Sequence, residues 1–149
     1  MPDLNLMVYA VDETSPRHVK ALSWLEARLN STETLAFAWS TLNGFVRLST
    51  RSAVFDSPLS PDEAFDLVEA WLARPNVVIV DPAEGHLRRV RDLLAPLGTA
   101  GNLVTDAHLA ALAIEHGATL ESSDHDFGRF ADLRWEDPLQ DPVRREPGR

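Results

Sequence analysis

Residues 104–127 read VTDAHLAALAIEHGATLESSDHDF, and the fold is decided here. From Ala107 onward apolar residues recur at helical spacing, through Leu109, Leu112, Ala113 and Ile114, and Gly117 supplies a helix stop. ATLES then reads as a strand, and the run ends in Asp124-His125-Asp126-Phe127. A helix of about 12 residues spans roughly 18 Å, and a strand of about 5 returns roughly 17 Å. The chain therefore leaves and regains one edge of a sheet, bringing Asp106 and Asp124 to the same side.

The same alternation runs through the rest of the chain. Ser15-Pro16 opens a helical pattern carried by Val19, Leu22, Leu25 and Leu29. TLAFAW (34–39) reads as a buried strand and residues 41 to 51 as a helix. Ser60-Pro61-Asp62-Glu63 has the form of a capping box with proline in the first turn, predicting a helix to about Ala73. NVVIV (76–80) reads as a second buried strand, and Asp81 as the cap of a helix ending near Gly98. LRW (133–135) predicts a short last strand. The opening LNLMVYAV fits a strand or a helix. Alternating strands and helices imply an α/β protein with a mainly parallel sheet and right-handed crossovers. No repeat or linker interrupts the 149 residues, which suit one domain with one core. Residues 1–137 form that expected domain, and 138–149, rich in Pro and charge, an expected loose tail.

Composition narrows the function. The absence of cysteine removes disulfides and thiolate metal sites and suits a reducing cytoplasm. No apolar run approaches a membrane span, and the N-terminus lacks the basic start of a signal peptide, so a cytoplasmic protein with no membrane association is expected. Net charge is −9, with Lys20 the only lysine beside thirteen arginines. That balance argues against broad polyanion binding but leaves room for a local arginine patch. GxGxxG, Walker, GxSxG and HExxH patterns are missing. The five histidines are scattered and read as surface or packing residues, and the tryptophans (24, 39, 71 and 135) as core.

In open α/β folds ligands gather beyond the carboxyl ends of the strands. Asp106, Asp124 and Asp126 fall there, as does Asp81 after VVIV, and Asp3 joins them if a first strand ends at it. Carboxylates brought so close repel one another unless a cation sits among them, and an all-oxygen set points to Mg²⁺ or Mn²⁺. Each residue also has a plainer reading. An Asp at a helix start is commonly a cap, which is the assignment for Asp62 and Asp81 and an open alternative for Asp106. Asp124-His125-Asp126 also fits a solvated turn.

Four segments resemble the PIN-domain nucleases and, among them, the VapC toxins of bacterial toxin–antitoxin pairs. They are PDLNLMVYA (2–10), HVKALSWLE (18–26), VTDAHLAALAIEHGATL (104–120) and SSDHDFGRF (122–130). The resemblance implies a three-layer α/β/α sandwich and an Mg²⁺- or Mn²⁺-dependent endoribonuclease. It implies Asp3, Asp106 and Asp124 as metal-holding catalytic acids and Asp126 as a fourth. Asn5 and Ser122 would support them by hydrogen bonds, and Asp3 would end a very short strand before NLMVYA turns helical. Expected partners are RNA, held by Arg47, Arg51 or Arg129, a VapB-like antitoxin, and a second copy in a homodimer. One departure stands out: Gly44 falls where many relatives carry a glutamate, which leaves a coordination position to water, Asn43 or Asp126. Two other readings compete, an inactive PIN-like module that only grips a partner, and a DxD-type phosphatase suggested by Asp124-His125-Asp126.

Overall fold

Asp3 ends the first extended residues and starts the first helix in one step. Its backbone is extended, and its Oδ1 accepts the Leu4 N–H at 2.7 Å, capping α1 (Leu4–Val11). In this computed structural model, which describes residues 1–140, α1 is followed by α2 (His18–Leu29), β1 (Leu35–Ala38) and α3 (Trp39–Ser49). Then come α4 (Pro61–Leu72), β2 (Val77–Val80), α5 (His86–Leu94) and α6 (Leu103–Glu115). Two short strands close the order, β3 (Leu120–Glu121) and β4 (Trp135–Glu136).

All recorded strand pairings are parallel. β1 pairs with β2, Leu35 opposite Val77 through Ala38 opposite Val80, and β3 pairs with β4. Pro2 forms a parallel bridge to Glu121. The Asp3 N–H donates to the Glu121 carbonyl, and the Glu121 N–H to the Met1 carbonyl, both at 2.9 Å. From the first turn of α3, the Thr41 hydroxyl donates to the Pro2 carbonyl at 3.3 Å. The segment before α1 therefore joins β3 to the helix that follows β1.

β1 shows the layering directly, because its side chains alternate between two apolar clusters. Leu35 and Phe37 pack with Leu6 and Met7 of α1, Leu25 of α2, Phe45 of α3 and Trp71 of α4. Ala36 and Ala38 face the other way, toward Val90 of α5, the alanines of α6, Leu120 and Phe127. Helices thus cover both faces of the sheet, the expected α/β/α sandwich. Trp71 stacks on Phe37 (centroids 6.2 Å apart) and tilts against Phe45 (4.8 Å). Each such fully buried side chain contributes about 1.5–3 kcal/mol.

Several local expectations hold and several change. Ser60 accepts the Glu63 N–H while the Glu63 carboxylate accepts the Ser60 N–H, so the capping box starts α4 as read. β2 is not buried along its length: Val78 is 44% exposed, because among the recorded ladders β2 pairs only with β1. Asp81 caps nothing. α5 starts five residues later, after Gly85 at φ 80°, a left-handed turn that suits glycine, and the Asp81 carbonyl instead meets His116 Nε2 at 2.8 Å. α2 begins at His18, two residues beyond Pro16, with no side-chain cap. Within the segment expected as a loose tail, Leu139 is buried with the cluster holding Phe37 and Trp71; residues 141–149 lie outside the described residues. No helix among the described residues is long and apolar enough to cross a membrane.

Candidate active site

Ser122, at the carboxyl end of β3, is fully buried and is the hub of the site. Its hydroxyl donates to Asp3 Oδ2 at 2.8 Å. It accepts from Asn5 Nδ2 at 3.1 Å and from the Asp124 N–H at 3.0 Å. A serine hydroxyl has one proton and two lone pairs, and all three are used here. Ser122 thereby joins the start of α1 to the turn after β3. In that turn Asp124 Oδ1 accepts the Asp126 N–H at 2.9 Å and opens a 3₁₀ turn over His125–Arg129.

The carboxylates meet electrostatically. Burial pushes Asp3 above the ordinary carboxylate range, against the pull of its bonds to Ser122 and Leu4, and the charge of Asp124 pushes the same way. Asp106 is pushed up to about 6, first by burial and then by the charges of Asp3, Asp124 and Asp126. It stands in the first turn of α6, which begins at Leu103, so Asp106 is inside the helix and not its cap. Asp126 is half exposed and shares its charge with Arg129 Nη1 at 3.5 Å.

This set fits a hard divalent ion. The charges of Asp3, Asp124 and Asp126 all act on Asp106, that of Asp124 acts on Asp3, and the chain has no cysteine. Among the described residues no three His, Asp or Glu side chains stand close enough together to hold a metal ion jointly. Mg²⁺ asks for less, since it binds through one or two carboxylates and keeps several waters.

Other expected residues stand apart from this cluster or explain themselves. Arg47 and Arg51 are exposed, at the last turn of α3 and just beyond it. Gly44 is buried against α1: a Cβ there would lie 2.8 Å from Leu4 Cδ2. Leu4 therefore occupies the space beside position 44, and the missing glutamate has a steric counterpart on the neighbouring helix. Among the histidines, His125 is exposed. His86 and His108 are not scattered: His86 Nε2 and His108 Nδ1 share a hydrogen bond at 2.8 Å, and His86 Nδ1 meets the buried Glu115 carboxylate at 3.0 Å. Glu115 also faces Arg89 at 3.6 Å and accepts the Ala83 N–H. A second buried acid, Glu121, accepts from Trp24 Nε1 at 3.1 Å and pairs with Arg28 at 3.5 Å. Sequence spacing carries no signal for either group, because the partners come from elements far apart in the chain, α5 with α6 and α2 with β3.

A parallel sheet covered on both faces, with aspartates gathered beyond its strand ends, defines the class of α/β domains that bind ligands at that edge. The chain belongs to the PIN domain family, whose profile matches residues 1–133. Ribonuclease VapC37 of Mycobacterium tuberculosis (strain ATCC 25618 / H37Rv) is 45% identical over 136 residues, covering 91% of this chain and 94% of the relative. Ribonuclease VapC33 of the same strain is 41% identical over 141 residues, covering 95% and 99%. Among solved structures, VapBC2 from Rickettsia felis bound to a promoter DNA fragment superposes with a TM-score of 0.67 at 22% identity, covering 92% of this chain and 96% of the other. VapBC-1 from nontypeable Haemophilus influenzae gives 0.63 at 21%, covering 94% and 98%. At those identities the structures speak for the fold alone.

Proposed function

We propose that the chain is an endoribonuclease that hydrolyses RNA phosphodiester bonds with Mg²⁺ or Mn²⁺, as the toxin of a VapBC-type pair. The observation that carries the reading is the Asp3–Ser122–Asp124 unit with Asp106 in electrostatic reach. Relatives named ribonuclease VapC, alike over nearly the whole chain, support it. Asp3, Asp106 and Asp124 would hold the ion. When bound, the ion supplies positive charge against the phosphate oxygens and makes a water more acidic.

The protein's own part is to hold and orient. Ser122 fixes the Asp3 carboxylate through its proton and Asp124 through the backbone. Asn5 Nδ2 fixes the Ser122 rotamer. Asp126 adds negative charge at the rim, and Arg129 tempers it. A VapB-like antitoxin, a homodimer and a cytoplasmic location complete the proposal. The opposite reading, an inactive partner-binding module, rests on Gly44.

The two are separated by one comparison. With Mn²⁺ the parent should cleave RNA, and Asp106→Asn should lose at least roughly 100-fold, since even outer partners of metal ligands contribute 10–100-fold. Equal rates in chelator-treated and Asp106→Asn protein, matching the untreated parent, would falsify the mechanism. No cleavage and no Mn²⁺-dependent rise in melting temperature would favour the inactive module.

A further inference from the structure

α3 carries a line of side chains that the fold leaves unused. Trp39, Asn43 and Arg47 recur every four residues and so share one face, and Arg51 follows the helix end. All four are exposed. None of these side chains makes a hydrogen bond, ion pair or ring contact with any described residue. The contrast with their own kind is clear. Trp71 is buried, Trp24 donates to Glu121 and Trp135 donates to the Ser122 carbonyl at 3.0 Å, while Trp39 is 50% exposed. Arg28, Arg89 and Arg129 meet carboxylates; Arg47 and Arg51 meet none among the described residues.

The helix that carries the line is anchored, through its buried face, to the segment that holds Asp3. Gly44, one residue from Asn43, packs on Leu4, which follows Asp3. Thr41 bonds to Pro2, which precedes it. Trp39 and Arg47 lie about 12 Å apart along the helix. An exposed indole, a side-chain amide and two guanidiniums in sequence match what single-stranded nucleic acid offers: a base face, a base edge and phosphates. On a chain of net charge −9, local cations are the means of holding a polyanion.

We infer that the Trp39–Asn43–Arg47–Arg51 face is a subsite for single-stranded RNA beside the carboxylates, with a nucleobase stacked on Trp39, its edge at Asn43 and phosphates at the arginines. The inference rests on the ribonuclease reading and adds a residue-level requirement to it: the RNA must present an unstacked base.

The test uses the full chain carrying Asp106→Asn, so that binding is read without cleavage. Labelled single-stranded RNA is compared with a duplex of the same sequence. Trp39→Ala should weaken single-strand binding about 5- to 100-fold, the range of one base–aromatic stack. Trp39→Phe should retain most of it and should lose the fluorescence quenching seen on binding. Arg47→Ala should lower the salt slope by about one. With Asp106 restored, Trp39→Ala should raise KM with little change in kcat. Unchanged affinity and KM in Trp39→Ala would overturn the subsite. So would a Trp39→Ala protein that falls from dimer to monomer in sedimentation yet binds RNA as before, which would make this face a contact between copies. Failure of the underlying reading looks different: the parent then neither cleaves nor binds RNA, and the subsite falls with it.

Discussion

Ser122 has more dependants than any carboxylate it serves. Replacing it with alanine leaves the Asn5 amide and the Asp124 N–H without that acceptor and Asp3 Oδ2 without its donor, while Oδ1 keeps the Leu4 N–H. Each buried group left unpaired costs about 1–3 kcal/mol. Ser122→Ala should therefore lower stability in urea by at least about 1 kcal/mol and weaken Mn²⁺ binding roughly 10- to 100-fold, read by titration. Asp106 behaves in the opposite sense without metal. Its folded pKa, about 6, lies above the ordinary carboxylate value of 3.8, so between those values the folded state holds more protons than the unfolded one. Stability from this group is fully present below about 3.8 and is lost as pH rises through 6. In chelator, Asp106→Asn should melt above the parent at pH 7, and the difference should vanish near pH 4. A parent that is the more stable at pH 7 would contradict the crowded site. Residue chemistry of this kind was partly visible in the sequence: the aspartates could be placed at one sheet edge. The role of Ser122 came only with the resemblance, and Gly44 stayed unexplained until Leu4, forty positions away, was placed against it.

Elements were read best where the cause is local. The capping box at Ser60 and the apolar spacing of α6 are contained within one helix, and both appear as expected. Elements failed where the cause is elsewhere. Asp81 resembles a cap, but Gly85 sets the start of α5. The strand propensity of β2 says nothing of its pairing, so Val78 was placed inside. Trp39 was assigned to the core on residue type alone. Two tests belong at this scale. Ser60→Ala should cost about 1 kcal/mol, within 0.5–2, by removing one cap, and should leave RNA cleavage unchanged because α4 carries no site residue. His86→Ala removes the only α5 side chain that bonds both His108 and Glu115 among the described residues. It should destabilise by about 1–3 kcal/mol, and hydrogen exchange should rise in the facing turns of α5 and α6.

At the scale of the whole molecule, the two sides of β1 are built from different materials. One layer meets Leu35 and Phe37 with large side chains, Leu25, Phe45 and Trp71. The other meets Ala36 and Ala38 with Ala107, Ala110, Ala111 and Ala113. Where alanine meets alanine, the second has little volume to lose and nowhere to put more. Ala110→Leu should therefore cost at least about 1–3 kcal/mol by overpacking, while Leu25→Met should cost less than about 1.5, as denaturant melts would show. Sequence change across descendants of this chain should then be lopsided. Drift in side-chain size is open to the layer of α1 to α4, while the alanine positions of the helix that carries Asp106 are held to a narrow alphabet of small residues, and the position of that carboxylate is inherited from the stiffness of its own helix.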